Sequence, residues 1–231
     1  MQISNISVYG IFPAIVGVRN SYKSVDKSDS VKLETAGTFW DNKLVDWVSY
    51  NHAEIGETDM KILKALSKRN DEYGEAERKF LRQIFVGMDI VGSLKFWAQM
   101  DTYKIGTVRN SQSTMHNILD KELTQNDFEI EINNEHLEWI NCQIRYYKEI
   151  KKLDITKFES DSTKEQALKN IYNSIDANLP AGYLLKSYWT GNYEVLRKIY
   201  RQRKKHKMYY WKQFCEVIET LPYAKEFIIG E

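Results

Sequence analysis

Leu179–Pro180–Ala181–Gly182–Tyr183–Leu184–Leu185–Lys186–Ser187–Tyr188–Trp189–Thr190–Gly191–Asn192–Tyr193–Glu194–Val195–Leu196, continuing to Arg203, is the stretch on which the fold turns. Its opening Leu-Pro pair ends the element before it, because the proline ring disfavours helical geometry in the preceding residue. Beyond the proline, Leu184, Leu185, Tyr188, Leu196 and Ile199 predict that helical spacing resumes. Arg203 follows Asn192 by eleven residues, about three turns of a continuous helix, which would let both face one pocket.

Working outward, apolar periodicity predicts a helix over 163–176 from Leu168, Ile171, Tyr172 and Ile175, with Thr163 and Gln166 as its capping box. It predicts another over 134–151 from Leu137, Ile140, Ile144 and Tyr147, and a last one from Phe214, Val217, Ile218 and Leu221. Upstream, Ile62, Leu63 and Leu66 mark one short helix, and Ala76, Phe80, Leu81, Ile84 and Phe85 a second, separated by the turn signals Asn70, Asp71 and Gly74. Val86, Met88 and Ile90 alternate with period two, predicting a brief strand that leads through Ser93 as N-cap into the aromatic helix Leu94–Met100. Residues 3–13 read as a strand ending at Pro13, and residues 14–30, rich in Ser and Asp, as a loop. Trp40, Leu44, Val45 and Trp47 form an apolar patch without a clear period. The connection 152–162 is short enough for an inter-helix loop, so a single domain over 1–231, α+β with helices dominant, is the simplest organisation.

Fifteen Tyr, nine Phe and six Trp in 231 residues supply enough apolar surface to offset the entropy of folding, which excludes a disordered chain. The 33 basic and 32 acidic side chains nearly cancel, so no global charge argues for nucleic acid or an anionic membrane. No stretch approaches the roughly 20 apolar residues of a membrane span, and Met1–Gln2–Ile3–Ser4–Asn5 lacks a signal-peptide pattern, so the expectation is a soluble, cytoplasmic protein. Cys142 and Cys215 are too few for a disulfide framework and read as buried free thiols. His52, His116, His136 and His206 lack the spacing that places two ligands on one helical turn, so no bound metal is expected.

Two segments could carry chemistry. In Asp101–His116, hydroxyl and amide side chains crowd around Gly106 with Lys104 and Arg109 beside it, offering donors to a phosphate or nucleobase. A plain turn in which Ser113 or Thr114 caps a helix through Ile118 is the commoner use of such residues. In Arg197–Lys207 seven of eleven residues are Lys or Arg, followed by Met208–Tyr209–Tyr210–Trp211. That suits phosphate contacts and stacking, but cations in a last helical turn are also favoured by the macrodipole without any ligand. No phosphate-binding glycine loop and no nucleophile with a neighbouring base is recognisable.

Leu179, Pro180, Trp189, Thr190, Asn192, Leu196 and Arg203 match, without a gap, the C-terminal signature of the flavin-dependent thymidylate synthases, which the chain therefore resembles. The resemblance implies a helix-rich α+β domain with a small central antiparallel sheet, and a homotetramer with sites built between chains. It implies FAD as cofactor, with methylenetetrahydrofolate and NADPH in catalysis, and transfer of a one-carbon unit to C5 of a deoxyuridine nucleotide. It gives Asn192 a part in holding the flavin. Arg203 would bind and polarise the uracil ring, the one catalytic role implied. Thr102–Tyr103–Lys104 stands where the family has Arg-His-Arg, which makes Tyr103 and Lys104 flavin-side residues, Lys104 also reaching substrate. Arg109, Ser111 and Ser113 correspond to the residues that hold the nucleotide's phosphate and sugar. Asp176 sits about where a phosphate-binding Arg precedes the Leu-Pro pair, and a carboxylate there repels phosphate. The phrases Val18–Arg19–Asn20 and Thr107–Ser111 with Ser113–His116 are similar to phage-type relatives lacking Arg-His-Arg, which would place the protein in a host cytoplasm. The alternative is a non-catalytic nucleotide-binding or regulatory protein on the same scaffold, with nucleic acid bound through 197–207.

Overall fold

A computed structural model describes residues 1–33, 38–41, 45–50, 53–69, 76–154 and 161–230. The turn signals Asn70, Asp71 and Gly74, most of the 152–162 connection, and His52 and Leu44 lie outside them. By contact density the chain forms two compact units, one of residues 1–91, 99–110 and 187–231, the other of 92–98 and 111–186.

Strand β1 (Gln2–Tyr9) organises the six-stranded sheet, whose order is β3-β4-β1-β6-β8-β7. β1 runs parallel to β4 (Val45–Tyr50), with Ile6 opposite Val48, and antiparallel to β6 (Phe85–Ser93), with Ile3 opposite Ile90 and Tyr9 opposite Phe85. The register slips between Ser4 and Ser7, where Asn5 adopts φ 50° and its amide donates to Asp89 Oδ2 at 2.6 Å. Asparagine is among the few non-glycine residues that visit this left-handed geometry. β3 (Thr38–Asp41) pairs antiparallel with β4, and the short β2 (Val31–Lys32) and β5 (Ala53–Glu54) form a separate ladder. The expected helix-rich α+β architecture with a small sheet is present, the β1–β4 pair being its parallel exception.

The expected strand over 3–13 stops at Tyr9, and the expected loop 14–30 begins as helix α1 (Ile11–Ser21). Gly10, at φ 91°, makes the sharp turn between them. Pro13 falls in the first helical turn, where its missing N–H costs nothing. Buried Ile11, Ala14, Ile15 and Val18 supply the stripe that holds α1 on the core. The polar run after it is structural: Asp29 accepts from the Thr58 and Asp59 amides at the start of α2 (Glu57–Ser67), and Ser28 and Ser30 donate to the Asp59 carboxylate. Asp59 in turn pairs with buried Arg19.

Where a second short helix was expected, Arg78–Gln83 is a 3-10 helix, and Phe85 already belongs to β6. Ser93 Oγ accepts from the Phe96 amide at 3.2 Å and starts α3 (Leu94–Met100), as its N-cap reading requires. β7 (Val108–Ser111) precedes the four-residue helix α4 (Thr114–Asn117). α5 (Asn134–Lys152) and α6 (Asp161–Ala177) pack together, burying Ile140, Ile144, Ile171 and Ile175. α6 begins two residues before Thr163, so Thr163 lies inside its first turn and Gln166 donates to Asn170 instead of closing a capping box. It ends before Leu179–Pro180, as the proline demands.

The main correction falls on the deciding stretch itself. Leu184–Asn192 is strand β8, not helix. Leu185, Ser187, Trp189 and Gly191 are buried while Lys186 and Tyr188 are exposed, the period of two that a half-buried strand imposes. The helical spacing of Leu184, Leu185 and Tyr188 was coincidental, since a short apolar run does not separate strand from helix. Helix α7 (Tyr193–Arg203) starts only after Asn192, and α8 (Tyr209–Glu219) ends the helical series. Of the two thiols, Cys215 is buried, but Cys142 is exposed on α5. Among the described residues, no helix is long and apolar enough to cross a membrane.

Candidate nucleotide site

The site lies in the unit that holds the sheet, where α7 begins. Asn192 has extended backbone (φ −135°), and its Oδ1 accepts from the Val195 amide at 3.1 Å, a side-chain N-cap. The Tyr193 amide donates to Ile84 O at 3.0 Å. The first turn of α7 is therefore largely satisfied by protein, and any anion preference must come from side chains.

Facing Asn192 is the turn that follows α3. Tyr103 N donates to Met100 O at 3.0 Å, Thr102 Oγ1 donates to Gln99 O, and Thr107 Oγ1 donates to Tyr103 O. Gly106 closes this turn at φ 78°. A Cβ there would lie 2.9 Å from Asn192 Nδ2 and 3.4 Å from a Val195 methyl, so only glycine meets both the backbone angle and the approach.

Turn and helix start enclose a cavity of about 430 Å³, lined by Arg82, residues 102–106, Asn192, Glu194, Val195 and Lys198. A smaller one of about 260 Å³ is bordered by Met100, Asp101, Lys104, Thr107, Arg109 and Trp189. Lys104 borders both. Its ammonium has no ion-pair partner among the described residues. Glu194, the carboxylate in the larger cavity, is held by Arg78 at 3.1 and 3.3 Å, both side chains at most 5% exposed. Arg78 also donates to Arg69 O at 2.6 Å. This pairing sets a guanidinium directly against the buried carboxylate in the cavity wall.

Arg203 closes the other end of α7, and it borders neither cavity. Its Nε donates to the Tyr103 hydroxyl at 2.8 Å, its Nη1 lies 3.4 Å from Gln99 Oε1, and its Cζ sits 4.6 Å from the centroid of the buried Trp211 ring. Trp211 Nε1 donates to the same Gln99 oxygen at 2.7 Å, and the Tyr103 hydroxyl donates to Gln202 Oε1. The single pocket expected for Asn192 and Arg203 is thus divided: Asn192 lines it, Arg203 stands behind it, and Tyr103 joins the two. The expectation assumed that Asn192 lies inside a helix; as N-cap it stands at the opposite end from Arg203.

Of the remaining expected site residues, Arg109 lies 3.2 Å from Asp101 beside the smaller cavity. Ser111 and Ser113 belong to the other compact unit. Ser111 is exposed, and Ser113 stands at the N-cap of α4 without a side-chain cap bond. Asp176 is exposed near the end of α6, 3.4 Å from the Tyr172 hydroxyl. In the basic run, Arg197 is a buried clamp donating to Phe227 O at 2.9 Å, whereas Arg201, Lys204, Lys205 and Lys207 are exposed. Sequence reasoning missed Gln99, Trp211 and the Arg78–Glu194 pair. A residue four before Tyr103 and another eight after Arg203 carry no local signal, because their meeting depends on how α3, α7 and α8 pack.

No family model and no curated protein sequence matches the chain. Among solved structures, a flavin-dependent thymidylate synthase from Helicobacter pylori complexed with FAD and dUMP is similar at TM-score 0.63 and 12% identity, covering 98% of each chain. A second structure of that enzyme, also with FAD and dUMP, gives TM-score 0.61 at 10% identity over 99% of this chain and 97% of the other. With nearly complete mutual coverage at TM-scores above 0.6, the chain has the fold of these flavin-dependent thymidylate synthase structures.

Proposed function

We propose that this protein binds a deoxyuridine-type nucleotide together with FAD and, given methylenetetrahydrofolate and NADPH, transfers a one-carbon unit to C5 of the pyrimidine. The observation that carries the reading is the cavity at the start of α7, built from Lys104, Gly106 and Asn192 on a fold shared with structures solved with FAD and dUMP. Its volume of about 430 Å³ falls within the roughly 300–1,000 Å³ of small-molecule sites. The lining suits a phosphate-bearing heterocycle: the Lys104 ammonium, which has no ion-pair partner among the described residues, the Nδ2 amide of Asn192 and the face of the Tyr103 ring. Reduced flavin, when bound, supplies the hydride. Lys104 holds a phosphate at the border of the two cavities, with Arg109 beyond it. Arg203 stabilises charge developing on the pyrimidine ring, an electrostatic role that needs a fixed guanidinium. A homotetramer in the cytoplasm and kinship with phage-type relatives go with this reading.

Purified protein tests it directly. The expected result is a flavin absorbance spectrum, heat on titration with dUMP, and thymidylate formed when the co-substrates are added. A colourless protein that takes up neither FAD nor dUMP would refute it.

A second reading has its own support. Thr102–Tyr103–Lys104 stands in place of Arg-His-Arg, two donors of Arg203 are held by protein, and Arg201, Lys204, Lys205 and Lys207 are exposed where α7 ends. This favours a non-catalytic protein that binds a nucleotide, or nucleic acid through 197–207. A salt-dependent mobility shift of DNA, abolished by neutralising Lys204, Lys205 and Lys207, would favour it. Unchanged mobility at low salt would remove it.

A further inference from the structure

We infer that Tyr103 and Gln99 are positioning residues that fix the Arg203 guanidinium, with Trp211 as its floor, so that Nη2 is left in a set orientation for the pyrimidine ring of a bound nucleotide. The inference rests on the nucleotide-binding reading above and names what orients its cation.

The geometry around Arg203 leaves little freedom. The guanidinium lies 4.6 Å from the Trp211 centroid, a cation–π distance, and Trp211 is itself locked by the bond from its Nε1 to Gln99 Oε1 at 2.7 Å. The same Gln99 oxygen lies 3.4 Å from Arg203 Nη1, so one amide orients both the ring and the cation resting on it. The Tyr103 hydroxyl accepts from Nε at 2.8 Å while donating to Gln202, which fixes its proton and leaves its lone pairs to Arg203. Nε and Nη1 are thus engaged. Nη2 has no protein partner among the described residues, and the side chain is half-buried.

A planar guanidinium held at Nε and Nη1 keeps its plane fixed, so the Nη2 donors are suited to bonding a carbonyl in a set direction. Such a group acts strongly only if its orientation is set before the ligand arrives. Tyr103 also lines the 430 Å³ cavity, so the residue that orients Arg203 forms the wall against which a ligand rests. A tyrosine at this position thereby takes a structural task that a cationic residue could not, since a second positive group would repel the guanidinium instead of accepting from it.

The test is a double-mutant cycle on dUMP binding, measured by calorimetry with the full-length, flavin-loaded protein. Tyr103→Phe keeps the ring wall and removes only the hydroxyl; Arg203→Lys keeps the charge and removes the fork. Tyr103→Phe is expected to weaken dUMP about tenfold in the parent, the scale of one lost hydrogen bond to a charged group. In the Arg203→Lys background it should weaken dUMP less than twofold, because nothing remains to position. Gln99→Met should behave in the same way. A Tyr103→Phe effect of equal size in both backgrounds, or no effect in the parent, overturns the inference while leaving the functional reading standing. A parent protein that binds no dUMP refutes the functional reading itself, and this inference with it. A circular-dichroism melt of each variant, expected to stay cooperative and well above the assay temperature, separates positioning from misfolding.

Discussion

Gly106→Ala probes the contact on which the cavity depends. Gly106 sits at φ 78°, and an alanine Cβ would stand 2.9 Å from Asn192 Nδ2. The left-handed backbone costs an L-residue about 1–2 kcal/mol. The clash pushes on the Asn192 side chain, whose Oδ1 caps Val195 N, and loss of such a cap costs about 1 kcal/mol. Together the substitution should remove about 2–3 kcal/mol. At roughly 2–4 °C per kcal/mol for a chain of this size, Tm should fall by roughly 5–10 °C. Thermal and urea denaturation of four proteins decide the matter: parent, Gly106→Ala, Asn192→Ala and the double variant. Asn192→Ala alone forfeits the cap, about 1 kcal/mol. Once the asparagine side chain is gone the new methyl meets no amide, so the double variant should be no less stable than Gly106→Ala alone. That result is a coupling of about 1 kcal/mol between the two positions. Gly182→Ala is the control, since its Cβ would meet nothing nearer than 3.9 Å; its stability should change by less than about 1 kcal/mol. Strict additivity, or a Gly106→Ala variant as stable as the Gly182→Ala control, would refute the close approach and with it the described shape of the cavity.

Three further outcomes are expected. Glu194→Gln leaves buried Arg78 without its counter-charge and should destabilise the fold by about 3–5 kcal/mol, read by urea denaturation; a loss below 1 kcal/mol would mean that the pair is solvated. In thiol titration of the native protein, exposed Cys142 should react at once, while Cys215, whose thiol burial pushes up to about 12, should react only after denaturant is added; two equally fast thiols would contradict the burial of α8. On acidification, amide bonds, first from Thr58, hold Asp29 at about 2 against the ordinary 3.8. Burial works to raise Asp59, but bonds from Ser28, Ser30 and Arg19 outweigh it and lower it. Both carboxylates therefore contribute stability that is present above about pH 4–5 and lost as pH falls towards 2. Asp29→Ala should flatten that acid limb in pH-dependent melts, and an unchanged limb would show that the cap of α2 contributes nothing.

Much of the helical half of the chain was legible because its signals are local. α5 and α6 repeat apolar residues at 3.6 over about two to three turns inside helices of 19 and 17 residues, enough to declare the period, and the ring of Pro180 stops α6 whatever surrounds it. β8 was not legible as a strand. Its nine residues alternate only when their burial is known, since Ser187 and Gly191 are buried and Tyr188 is exposed, against their hydropathy. α1 was hidden by the polar run around it, and the stripe Ile11, Ala14, Ile15 and Val18 declares itself only once a core stands against it.

The same division holds at the site. By itself the sequence determined the chemistry available: the Trp-Thr-x-Asn signature with Arg203 eleven residues on, the substitution of Thr102–Tyr103–Lys104 for Arg-His-Arg, and a glycine in a donor-rich turn. These are facts of residue type and spacing, and they pointed to the fold that the solved structures share. Only the tertiary structure decided who meets whom. It set Asn192 at the head of α7 and Arg203 at its foot, put Tyr103 between cavity and guanidinium, and gave Arg203 to Gln99 and Trp211. Spacing along a chain specifies direction only within one element, and here the partners lie on α3, α7 and α8. Contacts between elements come from packing, which buries side chains more than one hundred residues apart against one another, and no local pattern encodes that meeting.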